Sequence, residues 1–319
     1  MSWTEKSSTS QPKVIVVAGP TASGKSALGL AIAEAFGGVL INADSQQRYA
    51  DLRILSARPS AADEARAPHK LFGDLAADES GSAAKWAIKA AAEIRSACDA
   101  GKVPILVGGT GLYFRALMEG LSDMPAVPTD VRAAAAALRV EIGAEAFHAR
   151  LAARDPISGA RLAVGDTQRT LRAWEVVEAT GKPLSAWQAV PGQTPIDALY
   201  FNILLLPPRE DLYAACDARF RSMVDGGALE EVRALLAKGL DPGKGAGKAL
   251  GVADLAAYVA GEASLEAVIS NAQTATRQYA KRQMTWFRNQ FRADLSLSKK
   301  LSESLLREIF ANIRRFLLT

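Results

Sequence analysis

The sequence predicts an α/β fold, a parallel sheet flanked by helices and interrupted by an all-helical insertion. Three observations predict it. Short apolar runs rich in Val and Ile alternate with helical periodicity over the first 120 residues. The first of these runs enters a Gly/Ser loop that opens directly into a helix. The strand pattern stops near Leu121 and returns only at Leu199.

Lys13–Ala18 is a β-branched run and reads as the first strand, followed by the loop and a helix from Lys25 to about Phe36. Gly38–Ala43 is a second apolar strand, ending at Asp44. Residues 51–81, rich in Ala, Pro and Asp, read as irregular. Ala83–Ala100 is a strong helix closed by Gly101. Val103–Val107 is another buried strand, followed by Gly108-Gly109-Thr110-Gly111 and a helix, Leu112–Glu119. Beyond Leu121, Pro125 and Pro128 precede a stretch that is helical to about Gln188 and begins with the alanine-rich Ala133–Ala137. A strand signal returns at Leu199–Leu206, then Pro207-Pro208, then helices to the end. The expected organisation is a disordered leader at 1–12, a body formed by 13–120 and 199–292, a helical insertion at 121–198, and a basic helical tail at 293–319.

Composition excludes several classes. The chain has 319 residues, 49% hydrophobic and 23% charged, enough to build a core without disulfide or metal staples. Its two cysteines, Cys98 and Cys216, read as reduced buried thiols, and its two histidines, His69 and His148, exclude a multi-histidine metal site. No apolar run approaches a membrane span of roughly 20 residues, and no signal peptide opens the chain, so a cytoplasmic monomer is expected. The net charge of +4 is unevenly placed. Residues 277–319 carry ten Lys/Arg against three Asp/Glu, while the insertion, with eight against nine, is near neutral. A basic C-terminal segment on a near-neutral body suggests a polyanion partner.

Gly19-Pro20-Thr21-Ala22-Ser23-Gly24-Lys25-Ser26 matches G-x-x-x-x-G-K-[ST] between a strand and a helix, so the sheet is expected to be P-loop NTPase-like. Backbone N–H groups of Gly19, Thr21, Ala22, Ser23 and Gly24 can turn toward a phosphate, aided by the helix N-terminus. Lys25 would neutralise the distal phosphate and Ser26 would ligate Mg²⁺. NTPases often place an acid at the end of a nearby strand. Val103–Val107 instead runs into Gly-Gly-Thr, which leaves Asp44, after the second strand, as metal-water ligand, general base or helix cap.

Five segments then carry a specific resemblance. They are Gly19–Ser26, Ala43–Tyr49 (Ala-Asp-Ser-Gln-Gln-Arg-Tyr), Ile105–Phe114 (Ile-Leu-Val-Gly-Gly-Thr-Gly-Leu-Tyr-Phe), Gly165–Glu175 (Gly-Asp-Thr-Gln-Arg-Thr-Leu-Arg-Ala-Trp-Glu) and Thr276–Arg288 (Thr-Arg-Gln-Tyr-Ala-Lys-Arg-Gln-Met-Thr-Trp-Phe-Arg). In this order, over about residues 13–292, they resemble the bacterial tRNA dimethylallyltransferases, the IPP transferase family. The resemblance implies transfer of a five-carbon group from dimethylallyl diphosphate to N6 of adenosine 37 of tRNA, with diphosphate as leaving group held by the P-loop and Mg²⁺. It implies Asp44 as general base, Thr110 beside the adenine and the diphosphate, and Lys25 stabilising the leaving group. Such chemistry requires the base to leave its stack. Arg219 reads either as a further diphosphate clamp or as an ordinary helix-surface arginine.

By the same resemblance Ser45, Gln46 and Gln47 read the adenine. Arg132, Gln168, Arg169 and Arg172 of the insertion contact the anticodon stem-loop, and no obligate protein partner is implied. At 100° per residue, Arg277, Lys281 and Arg288 share a helix face beside the apolar stripe Ala280, Met284, Phe287 and Phe291. With Arg282, they form an acid-free stretch suited to phosphate backbone. Trp174 and Trp286 read as packing residues. The chain departs from the family pattern at 50–58, Gly73, Ala215 and Val252–Asp254. A small-molecule P-loop kinase and a nucleotide-gated RNA-binding protein without transferase activity are the competing readings.

Overall fold

The structure, a computed structural model, describes residues 11–240, 243–299 and 301–319. Most of the expected leader, residues 1–10, lies outside the described residues; Pro12 already accepts the Leu199 N–H at 2.8 Å at the foot of the sheet. The chain divides into two compact units, Glu119–Thr194 and the remainder before and after it.

The larger unit is built on six parallel strands: β1 (Lys13–Ala18), β2 (Gly38–Asn42), β3 (His69–Lys70), β4 (Val103–Gly108), β5 (Leu199–Leu205) and β6 (Leu295–Leu297). They lie in the order β3-β2-β4-β1-β5-β6. Val14–Ala18 of β1 are wholly buried, as a parallel strand covered on both faces must be. Up to the second unit, the helices are α1 (Lys25–Phe36), α2 (Ala61–Arg66), α3 (Ala83–Asp99) and α4 (Gly111–Met118).

The second unit contributes α5 (Thr129–Arg154), α6 (Pro156–Arg161), α7 (Thr167–Thr180) and α8 (Leu184–Gln188). The α5 span breaks at Gly143, whose φ of 79° departs from helical geometry. Phe147, Leu151, Ala173, Trp174 and Val176 form the core of this unit, so Trp174 is a packing residue there. Asp155 ties its helices together. Its buried carboxylate accepts the N–H and hydroxyl of both Ser158 and Ser185, and these bonds outweigh burial and hold its pKa below the ordinary value.

The chain then returns to the sheet through β5, and the larger unit is completed by α9 (Arg209–Met223), α10 (Leu229–Ala237), α11 (Val252–Val259), α12 (Leu265–Gln290) and α13 (Glu303–Leu318). On one sheet face Ile15, Leu28, Ile32, Ile105 and Ile203 pack with Ile309 and Ile313 of α13. A second core joins Phe220, Val232, Leu255 and Ile269 of α9 to α12 with Leu52 and Leu55 of the segment after β2.

Three expectations are corrected. Residues 51–81 are not wholly irregular: a Ser60–Asp63 capping box starts α2, and β3 pairs with β2 as the edge strand. The segment 293–319 is not a tail. Ile203↔Leu295 and Leu205↔Leu297 make β6 the sixth strand, and α13 buries Ile309 and Ile313 while its basic residues Arg307, Arg314 and Arg315 stay exposed. A three-residue strand is too short to leave an alternation signal. Cys98 is half-buried, unlike Cys216, which is fully buried. Among the described residues no helix is long and apolar enough to cross a membrane.

Behind the sheet edge, Arg48 is almost fully buried. Its guanidinium makes paired bonds of 2.8 and 2.6 Å to Asp74 and one of 3.4 Å to the Tyr113 hydroxyl. Burial opposes its charge, but Asp74 and Tyr113 more than offset that and raise its pKa. Asp74 also accepts from Lys89 at 2.9 Å, and Tyr113 stacks on Trp86 at 4.3 Å. Removing one partner strands the other charge. Asp74→Ala is therefore expected to cost about 3–5 kcal/mol, and the Arg48→Met/Asp74→Leu double variant much less; urea denaturation of the three proteins measures both.

Candidate active site

Three neighbouring strands, β2, β4 and β1, release their chains at the same edge of the sheet. The register places Asn42 opposite Val107 and Ala18 opposite Gly108, so Asp44, Thr110 and Gly19 emerge together. Carboxyl ends of parallel strands at a change in strand order are where α/β proteins bind ligands. The approach is close. Ala43 donates to the Val107 carbonyl at 2.8 Å, and Thr110 N–H donates to the Ala43 carbonyl at 3.1 Å. A Cβ on Gly108 would lie 2.1 Å from that carbonyl oxygen, so only glycine allows β2 and β4 to meet here.

The P-loop wraps the mouth of β1. Ala22 and Gly24 take left-handed φ values of 61° and 89°, a geometry that turns successive N–H groups inward and suits an anion. Ser23 N–H donates to the Pro20 carbonyl at 3.3 Å. The Ser23 hydroxyl is buried with no hydrogen-bond partner among the described residues, as expected of a group that completes its bonding with a ligand. Lys25 is buried, its Nζ 3.3 Å from the Pro20 carbonyl. Burial pulls its pKa down to about 8; Asp44 supports the charge, and Arg219 opposes it. Ser26 follows on the first turn of α1, exposed.

Arg219 of α9 reaches the loop and makes a short hydrogen bond to the Thr21 hydroxyl. Its pKa is lowered by burial, so two poorly solvated cations, Lys25 and Arg219, meet at the P-loop. The Thr21 N–H is taken by Gln283 of α12 at 2.8 Å, and the Gln283 amide nitrogen donates to the Gly109 carbonyl, also at 2.8 Å.

Asp44 is buried, and a side chain that the motif pattern did not single out fixes its main chain. Asn42, fully buried at the end of β2, accepts the Asp44 N–H at 2.8 Å and donates to its carbonyl at 2.9 Å. The Asp44 carboxylate accepts the Gln46 N–H through Oδ1 at 3.1 Å, the bond of a capping residue. Thr110 Oγ1 accepts the Ser45 N–H at 2.9 Å and donates to the Ser45 hydroxyl at 3.3 Å. Tyr279 of α12 stands over this group. Its phenol is held up in pKa, first by burial and then by Asp44, with Thr110 and Gln46 within bonding range.

A cleft joins these groups. Thr21, Asp44, Gln46, Arg219 and Tyr279 line its polar side, and Leu55, Phe220, Met223 and Leu250 its apolar side. Leu55 is held by Glu231, whose carboxylate accepts three successive N–H groups, from Arg53, Ile54 and Leu55, at 2.6 to 2.9 Å.

The other expected site residues fall in two groups. Gln47 is buried and turned away from the cleft, donating to the Ser56 and Ala57 carbonyls at 3.1 and 2.8 Å. Arg277 is engaged by the Asp217 carboxylate at 2.7 and 2.8 Å. Lys281, Arg282 and Arg288 are exposed on α12, while Ala280, Met284 and Phe287 are buried and Phe291 is half-buried. Trp286 packs against Gly111, where a Cβ would fall 2.3 Å from the indole. Within the second unit Arg132 and Gln168 are exposed. Arg169 is exposed and 3.3 Å from Asp166, and Arg172 is half-buried against Glu175 at 3.8 Å. Asn42, Gln283, Tyr279 and Glu231 join this arrangement without a motif signal of their own, although Gln283 and Tyr279 fall within Thr276–Arg288.

Comparison with known proteins gives a consistent result. The IPP transferase family matches residues 47–290, and the isopentenyl transferase family matches residues 12–72. The chain is 57% identical over 281 residues to the tRNA dimethylallyltransferase of Rhodospirillum centenum, covering 88% of this chain and 90% of that one. It is 53% identical over 312 residues to that of Paramagnetospirillum magneticum, covering 98% and 99%. The crystal structure of a tRNA isopentenylpyrophosphate transferase from Staphylococcus epidermidis superposes with a TM-score of 0.68 at 30% identity, over 96% of this chain and 99% of that one. A eukaryotic dimethylallyltransferase acting on tRNA gives 0.71 at 26% identity, over 86% and 69%. With its P-loop NTPase-like sheet and with the P-loop, Asp44 and Thr110 gathered at one sheet edge, the chain belongs to the IPP transferase family.

Proposed function

We propose that this chain transfers the dimethylallyl group of dimethylallyl diphosphate to N6 of adenosine 37 of tRNA and releases diphosphate. The observation that carries this reading is the convergence at one sheet edge of Asp44 and Thr110 with the buried Lys25 and the half-buried Arg219, with Asp44 and Arg219 lining one cleft. The C1–O bond of the allylic diphosphate breaks, the N6–C1 bond forms, and the N6 proton passes to the Asp44 carboxylate. An exocyclic amine is a weak nucleophile because its lone pair is conjugated with the ring. Asp44, with Oδ1 occupied by the Gln46 N–H, offers Oδ2 to the proton. Thr110, oriented by Ser45, lies at the meeting point of acceptor and leaving group.

Charge develops mainly on the departing diphosphate. Lys25, Arg219 and the N–H groups at the N-terminus of α1 stabilise it, while the Thr21 and Ser23 N–H groups are already bonded to Gln283 and Pro20. The orphaned Ser23 hydroxyl and the exposed Ser26 fit a diphosphate with Mg²⁺, an ion that takes one or two protein oxygens and completes its shell with phosphate and water. Ser26 would hold the ion, which neutralises diphosphate charge when bound. The apolar wall of Leu55, Phe220, Met223 and Leu250 suits the five-carbon chain.

In this reading Ser45 and Gln46 read the adenine, and Gln47 acts indirectly, by anchoring the Ser56–Ala57 backbone. Lys281, Arg282 and Arg288 supply phosphate-backbone contacts, Arg277 supports α12 from beneath them, and Arg132, Gln168, Arg169 and Arg172 contact the anticodon stem-loop. The protein acts in the cytoplasm, without an obligate protein partner.

The direct test incubates the protein with labelled dimethylallyl diphosphate and unmodified tRNA, and in parallel with ATP. Label on a single adenosine is expected; ATP turnover without label transfer would sink the reading. Asp44→Ala is expected to keep tRNA affinity and lose about 10²–10⁴-fold in transfer rate. Replacing Lys281, Arg282 and Arg288 with alanine should lower the slope of log affinity against log salt by about 2 to 3, measured by filter binding. A Lys25 pKa of about 8 means that its charge is present below that pH and lost above it. The donor, whose last ionisation lies near about 6, is fully charged there. Its KM should therefore rise between pH 7 and 9, and flatten in Lys25→Met.

A further inference from the structure

We propose that Gln283 is a positioning residue that locks the P-loop to the Gly108–Gly111 loop, so that the seat of the diphosphate and the orientation of Thr110 are set by one side chain. The inference rests on the function proposed above and assigns to that site a residue that touches neither substrate.

Gln283 is 6% exposed, inside α12 on the face that meets the sheet edge. Its two polar atoms are both used, in opposite senses. The carbonyl oxygen accepts the Thr21 N–H at 2.8 Å, and the amide nitrogen donates to the Gly109 carbonyl at 2.8 Å. An amide is the side chain that supplies an acceptor and a donor at one end. Glutamate would keep the acceptor but set a carboxylate against a carbonyl; methionine would fill the space and supply neither bond.

The partners are informative. Thr21 is the loop residue whose hydroxyl takes Arg219, so its N–H is held by α12 and its Oγ1 by α9. Gly109 immediately precedes Thr110. A Cβ at Gly109 would lie 2.4 Å from the Gln283 nitrogen and 3.0 Å from the Gly19 carbonyl, so the two loops and the amide are packed without slack. The loop carrying Lys25 and the loop carrying Thr110 come from β1 and β4, and Gln283 bridges them directly. A buried amide with both bonds made is costly to leave half-satisfied, so the bridge holds both loops in one arrangement.

The experiment compares Gln283→Met and Gly109→Ala, which perturb the bridge from its two sides, with Gln278→Ala, an exposed glutamine on the same helix. Donor KM and kcat are measured at saturating tRNA, tRNA affinity by filter binding, inorganic diphosphate affinity by calorimetry, and thermal melting alongside. A positioning role predicts that both bridge variants lose about ten-fold or more in kcat and in diphosphate affinity, raise donor KM, and leave tRNA affinity within about two-fold, while Gln278→Ala matches wild type. The proposal is overturned if the bridge variants only melt earlier, with donor KM, kcat per folded molecule and diphosphate affinity unchanged. A wild-type protein that transfers no label would instead remove the functional reading, and diphosphate calorimetry on the same variants would still decide whether Gln283 shapes the P-loop.

Discussion

The site depends on how closely the ends of β2 and β4 approach each other. A parallel sheet delivers its strand ends at about 5 Å spacing, too wide for short side chains to act on one atom. Here the gap is narrowed after the strands end, by the Thr110 N–H to the Ala43 carbonyl and by the absent side chain of Gly108. Asn42 then turns Asp44 inward by binding its backbone on both sides. Any residue larger than glycine at 108 would push Thr110 off Ala43, and with it the hydroxyl that positions Ser45. Main-chain contact thus fixes the acceptor side before any catalytic side chain is considered.

Electrostatics divides the larger unit into paired and unpaired charge. Arg48 is as deeply buried as Lys25, yet Asp74 and Tyr113 satisfy it and raise its pKa, which makes it structural. Lys25 and Arg219 have their pKa values lowered by burial and lack a carboxylate at ion-pair distance among the described residues. Two cations supported only through space by Asp44 cost stability in the free protein. The cost is offset when a diphosphate arrives, so the strain is consistent with an anion site rather than with a packed core.

The strand–loop–helix start, β1, β2, β4 and the return at Leu199 were legible because each carries a long apolar run with clear punctuation. The P-loop, Asp44 and Thr110 were legible because each ends such a run. What escaped was set by tertiary contact. Leu295–Leu297 is three residues long and is a strand only because β5 offers its edge. Glu231 sits at an ordinary helix-surface spacing, and its bonds to Arg53, Ile54 and Leu55 span more than 170 residues of chain. Gln47 and Arg277 carry the right chemistry for recognition and are turned to the scaffold by neighbours, Ser56, Ala57 and Asp217, that periodicity cannot reveal.

Helix α12 shows how one element serves both sides of the chemistry. Its buried stripe of Ala272, Ala280, Met284 and Phe287 fixes its rotation. With the rotation fixed, Gln283 must point at the two loops, Tyr279 must stand near Asp44, and Lys281, Arg282 and Arg288 must face outward. Arg277 anchors the same helix to α9, the helix that carries Arg219, while the Gln273 amide also donates to the Asp217 carbonyl at 3.0 Å. The local charge of the C-terminal segment is therefore only partly an electrostatic surface. One of its cations is used to brace α12 against α9, and that brace keeps Gln283 and Arg219 aimed at the same threonine.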